Sequence, residues 1–144
     1  LEEVCIELAQ MIAKDGEGAT KLVRIKVKRA ASKEIGREIG RRIAVSPLVK
    51  TALFGEDPNV GRILCALGNS PYEIDPHRVD IQFGGYKVVN KGTILDFPYE
   101  ELKGYLANKE LEIEIDLGMG ESSVVVYTCD LSYDYVRLNA EYST

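Results

Sequence analysis

The chain has 144 residues, enough for one domain with a hydrophobic core, and its 45% hydrophobic and 28% charged residues are ordinary for a globular protein. The formal net charge of −5 argues against nucleic acid as the main partner, because neutralising phosphates requires a net basic footprint. No apolar run approaches membrane-spanning length and no signal-peptide pattern opens the chain, while three scattered cysteines favour reduced thiols in a cytoplasmic protein over a disulfide framework.

The first segment predicts a helix from residue 2 to about residue 14. Apolar residues recur there at helical spacing, and the pair Asp15-Gly16 is typical of a helix end. Because the chain begins at Leu1, inside this amphipathic pattern, we expect the sequence to be the downstream part of something longer. The apolar positions are Val4, Cys5, Leu8, Met11 and Ile12.

A strand and a second helix are predicted next. Within KLVRIKVKR (21–29), residues 23–28 alternate strictly between apolar and basic side chains, which indicates a half-buried strand. Ser32 is a favourable N-cap for a helix that runs through Ala44. Gly36 and Gly40 lie one turn apart on that helix, where each glycine costs about 1 kcal/mol relative to alanine. They therefore indicate close packing of the helix backbone.

The middle of the chain mixes short apolar segments with turns. PLVKTALFG (47–55) predicts a short apolar strand. Asp57 and Pro58 predict the start of a helix, as its N-cap and first residue, and Gly68 can close that helix. The region 79–97 predicts three strands separated by glycine-containing turns.

The last third predicts a helix at 98–106, strands at 110–118 and 122–130, and a final helix at 131–140. Every second residue of the first of these strands is apolar and is expected to point inward. These residues are Leu111, Ile113, Ile115 and Leu117. Together the patterns predict one compact α+β domain with a mixed β-sheet and helices packed on it.

The loop DGEGATK (15–21) is the most unusual local feature, and its residue types are compatible with several kinds of site. It resembles a phosphate-binding loop poorly, because it precedes a strand rather than a helix and because Asp15 and Glu17 would repel phosphate. These two carboxylates also lack the spacing of a calcium loop. His77 is the single histidine and has no second ligand at zinc-site spacing, so we predict no metal.

Two further features have an ordinary and a functional interpretation. Residues 21–42 carry nine Lys or Arg and two Glu, which fits a nucleic-acid face or, more simply, a solvated surface balanced by the acidic second half. Four tyrosines near the C-terminus could stack a ligand, although packing is the commoner role. They are Tyr127, Tyr133, Tyr135 and Tyr142.

Three stretches in series resemble one family. DGEGATK (15–21), SPLVKTALFGEDPNVGRI (46–63) and TCDLSYDYVRLNAEYST (128–144) are similar to the C-terminal half of ornithine acetyltransferase, the bifunctional enzyme of arginine biosynthesis. They occur in the family's order and span nearly the whole chain. Val60 stands where the family has tryptophan. The resemblance implies the C-terminal part of the β chain of a self-cleaving enzyme of the αββα type.

The resemblance also implies a mechanism. Family members cut themselves into an α and a β chain, and the freed N-terminal threonine of the β chain attacks the acetyl group of N-acetylornithine. The acetyl-enzyme then passes the group to glutamate, and some members also accept acetyl-CoA. This is covalent catalysis, in which an N-terminal amine serves as base and an oxyanion hole stabilises each tetrahedral intermediate. The family suggests an assembly of two α and two β chains.

For this chain the resemblance implies substrate-binding residues and no catalytic one, because the nucleophilic threonine is expected upstream. The substrate-binding residues are Glu17, Asn139 and Thr144. A carboxylate suits an ammonium of ornithine, an amide can donate or accept, and Thr144 offers a hydroxyl or a terminal carboxylate. The ordinary alternatives are a turn cap, a helix C-cap and a frayed tail.

The same resemblance divides the chain into residues 1–20, a helix and loop adjoining the catalytic domain, and residues 21–144, a smaller α/β domain. The chain alone is expected to be inactive, to need no cofactor and to work with the α chain and the rest of the β chain, without nucleic acid or membrane. The alternatives are a non-catalytic amino-acid-binding or assembly domain of the same fold, a related self-cleaving amidohydrolase, and a nucleic-acid binder.

Overall fold

The computed structural model describes residues 1–142 and consists of a mixed sheet with helices around it. The helices are α1 (Glu2–Lys14), α2 (Lys33–Ala44), α3 (Pro47–Phe54), α4 (Val60–Gly68), α5 (Tyr99–Leu106) and α6 (Tyr133–Glu141), with a short 3-10 turn at Pro76–Arg78. The strands are β1 (Leu22–Ala30), β2 (Asp80–Phe83), β3 (Tyr86–Asn90), β4 (Thr93–Ile94), β5 (Glu110–Asp116) and β6 (Ser122–Cys129). The predicted α+β class with a mixed sheet is confirmed.

The six strands lie in the order β4-β3-β2-β5-β1-β6. Strand β1 is parallel to β5 and antiparallel to β6, with Leu22 opposite Cys129. The start of β1 and the end of β6 therefore lie side by side. The segment that enters β1 and the segment that leaves β6 must meet at this edge of the sheet.

The two faces of the sheet differ as the alternating sequences predict. Strands β1 and β5 bury their apolar residues almost completely on the face that α2 and α4 cover, while their charged residues lie on the other face. Val23, Ile25 and Val27 are 0% exposed, as are Ile113 and Ile115. One face is thus the hydrophobic core and the other is polar.

Helix α2 packs closely on the apolar face, as its two glycines predict. A Cβ atom at Gly36 would lie 3.0 Å from Cγ2 of Val124, and one at Gly40 would lie 2.8 Å from Cγ2 of Val126. Ser32 is the predicted N-cap, since its side chain accepts a hydrogen bond from the Ile35 amide at 3.1 Å. The helix backbone can approach the sheet only because these positions carry no side chain.

Helix α1 forms over the predicted residues but lies on the polar face. Its Gln10 amide donates to the Tyr127 hydroxyl at 3.2 Å, and its Lys14 ammonium pairs with Glu110 at 2.8 Å. No residue of α1 is buried. The predicted apolar positions are the exposed ones: Val4 is 55% exposed, Leu8 51%, Met11 63% and Ile12 75%.

One predicted strand is wrong. PLVKTALFG forms α3, because Pro47 occupies the first turn and the Ser46 side chain caps the helix at the Val49 amide. Its buried residues recur at helical spacing, at Val49, Ala52 and Leu53. A short apolar run does not distinguish a strand from a buried helix, so the cap was the informative signal.

The start of α4 also differs from the prediction. The cap is Asn59 rather than Asp57, since Oδ1 of Asn59 accepts from the Arg62 amide at 3.2 Å. Asp57 instead accepts from the Asn59 side chain at 3.1 Å. Farther on, the third strand predicted within 79–97 is reduced to Thr93–Ile94.

Candidate functional site

The glycine loop (residues 15–21) and helix α6 lie together at the edge where β1 begins and β6 ends. The loop links α1 to β1, and residues 130–132 link β6 to α6. The pairing of Leu22 with Cys129 fixes both connections to the same end of the sheet. Residues about 120 positions apart in sequence are thereby brought into contact.

Two of the three predicted substrate-binding residues contact each other. The Asn139 side-chain amide donates to Oε2 of Glu17 at 2.9 Å and also to the Tyr135 carbonyl oxygen at 2.8 Å, one turn earlier in α6. Both Glu17 and Asn139 are exposed. The third predicted residue, Thr144, lies outside the described residues. The described part of the site is thus a carboxylate and an amide on an open surface.

The glycines of the loop permit its close approach to β6 and α6. Gly18 has φ +69°, and a Cβ atom there would lie 2.6 Å from the Tyr135 amide nitrogen. A Cβ atom at Gly16 would lie 2.7 Å from the Cys129 sulfur. These two positions need glycine for space, and Gly18 needs it for its backbone conformation as well.

Asp130 and Ser132 bind the loop to the start of α6, and the sequence analysis missed both. Oδ1 of Asp130 accepts from the backbone amides of Thr20 at 2.8 Å and Lys21 at 2.9 Å, and Oδ2 accepts from the Thr20 hydroxyl. Ser132 donates to the Gly18 carbonyl oxygen and accepts from the Tyr135 amide as the N-cap of α6. The serine could have been found as an N-cap in sequence.

Lys21 ends the loop with its side chain turned inward, rather than opening the basic strand. It is 7% exposed, and its ammonium donates to the Leu106 carbonyl oxygen at 2.6 Å and lies 3.6 Å from the Glu56 carboxylate. Leu106 is the last residue of α5, where carbonyl oxygens lack helical partners and favour a cation. Lys21 therefore anchors the loop to α5.

The basic side chains of β1 are paired across the polar face with carboxylates of β5. Arg24 bonds to Glu112, Lys28 lies 3.0 Å from Glu114, and Arg29 bonds to Asp116 at 2.7 Å. Partial burial lowers the pKa of Arg24, but hydrogen bonds to Glu112 and Tyr127 outweigh it and leave that pKa above its ordinary value. This pairing favours the solvated-surface interpretation of the basic segment.

No metal-binding cluster of three or more His, Cys, Asp or Glu side chains occurs within residues 1–142. His77 is exposed, and its backbone amide donates to the Asp75 carboxylate at 3.0 Å as part of the 3-10 turn. Cys5, Cys65 and Cys129 are free thiols. Within the same part of the chain, no helix is both long and apolar enough to cross a membrane.

The fold and the polar site define an α+β domain that presents a carboxylate and an amide at one edge of its sheet. The model of the ArgJ family matches residues 1–144. The chain is 47% identical over 141 residues to the arginine biosynthesis bifunctional protein ArgJ of Staphylococcus aureus (strain COL). It is 48% identical over 147 residues to glutamate N-acetyltransferase of Methanopyrus kandleri. The chain belongs to the ArgJ family.

A solved structure supports the same assignment. The crystal structure of the arginine biosynthesis bifunctional protein argJ from Bacillus halodurans matches with a TM-score of 0.93 and 40% identity, over 96% of this chain and 66% of that one. The alignment with the Staphylococcus protein includes 98% of this chain but 34% of that protein. The alignment with the Methanopyrus protein includes all of this chain but 38% of that protein. It thus spans little more than a third of these two relatives.

Proposed function

We propose that this chain is the C-terminal part of the β chain of a glutamate N-acetyltransferase. The enzyme would move the acetyl group of N-acetylornithine to glutamate in arginine biosynthesis. The observation that carries the proposal is the contact between Glu17 and Asn139, 2.9 Å apart although 122 positions separate them. The two side chains meet because the pairing of β1 with β6 brings the glycine loop next to α6.

The contact gives a chemical reason for substrate binding at this edge. Glu17 has two carboxylate oxygens, and the hydrogen bond from Asn139 orients one of them. A carboxylate held in this way can accept charge-assisted hydrogen bonds from an ammonium group of an ornithine-type substrate. Asn139 adds a carbonyl oxygen, a second acceptor for the same cation. Thr144 is proposed as the third contact.

The chemical step itself is assigned to residues outside this chain. We place the nucleophilic threonine, freed by self-cleavage, in the upstream part of the β chain, so this chain alone is inactive. Acetyl-CoA is an optional second acetyl donor, and no other cofactor is proposed. The assembly has two α and two β chains in the cytoplasm. Within this chain, residues 1–20 adjoin the catalytic domain and residues 21–144 form the smaller domain.

The exposed side of α1 supports the proposal that this chain works together with an upstream part of the protein. Four of its apolar residues are more than half exposed, and they are Val4, Leu8, Met11 and Ile12. A helix stripe of this kind normally packs on another element. The upstream part of the β chain is the proposed partner for this surface.

Intact-mass spectrometry under denaturing conditions tests the proposed function. The full-length product of the gene that encodes this chain is incubated with N-acetylornithine and then with glutamate. We expect a fragment with an N-terminal threonine to gain one acetyl group and to lose it when glutamate is added. A fragment that never gains the group would contradict a transferase. Release of the group to water without glutamate would instead indicate an amidohydrolase.

A further inference from the structure

We infer that Asp130 is a positioning residue that holds Glu17 where it binds substrate. The inference rests on the proposed function and adds to it a residue that does not itself touch the substrate. Asp130 is 2% exposed and lies at the first position after β6. Its two carboxylate oxygens accept three hydrogen bonds from the end of the glycine loop.

The bonds to Asp130 fix the loop at one point and leave Glu17 free to face solvent. The bonded groups belong to Thr20 and Lys21, three and four residues after Glu17. Two backbone amides and a hydroxyl thereby provide hydrogen bonds for a buried side chain that would be costly to leave without partners. The geometry of the loop depends on these three bonds.

A second contact holds the loop nearer to Glu17, at the residue that directly follows it. Ser132 donates to the carbonyl oxygen of Gly18, the residue that follows Glu17, and its hydroxyl oxygen accepts from the Tyr135 amide. Tyr135 is also the residue whose carbonyl oxygen accepts from Asn139. Asp130 and Ser132 thus join the loop to the same turn of α6 that orients Asn139. The separation of Glu17 and Asn139 is set by this pair of contacts.

Substitutions at Asp130 distinguish positioning from mere stability. In the full-length enzyme, Asp130→Ala is expected to raise KM for N-acetylornithine on the order of tenfold to a hundredfold, because small displacements of a binding group have effects of that size. Asp130→Asn keeps an oxygen that can accept from both amides, so its KM should stay close to that of the wild type. Asp134→Ala is the matched control, since this exposed carboxylate on α6 bonds to Arg137. We expect it to leave KM unchanged.

The decisive arm combines Asp130→Ala with Glu17→Gln in a double-mutant cycle. If Asp130 acts through Glu17, the second substitution removes most of the effect of the first, so the two losses do not add. Equal losses from Asp130→Ala in both backgrounds would overturn the inference while leaving the transferase intact. A wild-type enzyme without acetyl transfer would contradict the proposed function, and this inference with it.

Faster amide exchange of the loop in Asp130→Ala, with β1 unchanged, is the expected structural signature.

Discussion

Helices α1 and α2 are both amphipathic, but the apolar side of α2 is buried and that of α1 is exposed. Ile39 and Ile43 of α2 are 1% and 0% exposed, whereas Leu8 and Met11 of α1 are 51% and 63% exposed. Helix α2 lies on the apolar face of the sheet and α1 lies on the polar face. An amphipathic pattern therefore predicts a helix with a face to bury but does not identify the surface that covers it.

The largest expected effect is at Ile43 of α2. Ile43→Ala should lower the free energy of unfolding by about 3 kcal/mol, because it removes a fully buried side chain and leaves a cavity. Leu8→Ala on α1 is the control and should change the same quantity by less than about 0.5 kcal/mol in the 144-residue chain. Urea unfolding measures both. Equal losses of unfolding free energy at the two positions would contradict the difference in burial between the two helices.

Two exposed cysteines report on the apolar side of α1. Cys5 lies on α1 and Cys65 on α4, and both are exposed free thiols. In the 144-residue chain both should react readily with an alkylating reagent. In the full-length protein we expect Cys5 to react several-fold more slowly, because the rest of the protein covers α1, while Cys65 keeps its rate. Mass spectrometry of peptides gives the two rates. An unchanged rate at Cys5 would contradict the expectation that the rest of the protein covers α1.

Two helical glycines should respond to alanine with opposite signs. Gly40→Ala in α2 should cost about 1 kcal/mol, because the new Cβ atom meets the Val126 side chain and forces the helix outward. Gly104 in α5 is exposed, and a Cβ atom there would meet no atom within 4 Å beyond its chain neighbours and the backbone of its own helix. Gly104→Ala should therefore add up to about 1 kcal/mol through helix propensity. Thermal unfolding of both variants tests this, and a stabilised Gly40→Ala would mean that α2 does not pack closely.

The smallest effect is expected on the polar face. Burial raises the pKa of Asp80, but a hydrogen bond from the Lys91 amide and the Lys87 ammonium outweigh it and hold that pKa below its ordinary value. The native state thus favours the charged form, so this stabilisation is present above the unfolded-state pKa and is lost as pH falls through the native-state value. Asp80→Asn should lower stability at neutral pH by less than about 1 kcal/mol.

The loss at Asp80 should disappear in acid, and unfolding measured across the acidic range tests this. A loss independent of pH would contradict an electrostatic origin. Together with the substitution at Ile43, this measurement compares the two faces of the sheet. The polar face is expected to contribute little to stability, which fits a surface that α1 crosses without burying its own residues.

Much of the fold could be predicted because the local sequence patterns agree with the positions of the residues in the folded protein. The alternation in β1 and β5 and the cap at Ser32 each indicated one element unambiguously. The prediction was wrong for residues 47–55, where apolar content outweighed the cap at Ser46. At the start of α4 the cap is Asn59 rather than the predicted Asp57, whose carboxylate instead accepts a local hydrogen bond from the Asn59 side chain.

The candidate site was less accessible to sequence reasoning. Glu17 and Asn139 were proposed from the family resemblance, and the structure places them in contact. Asp130 was missed because its role depends on the pairing of β1 with β6, which periodicity does not reveal. Lys21 was assigned to the basic strand because a buried lysine cannot be distinguished from an exposed one by alternation alone.

The rate of acetyl transfer in Glu17→Gln is the most direct measure of substrate binding by this carboxylate. The glutamine side chain is nearly the same size and can still bond to Asn139, but it lacks the charge that pairs with a substrate ammonium. In the full-length enzyme, we expect kcat/KM for N-acetylornithine to fall roughly 10- to 100-fold. This factor corresponds to the loss of one hydrogen bond to a charged group. An unchanged kcat/KM in a folded, self-cleaved variant would contradict the assignment of substrate binding to this edge of the sheet.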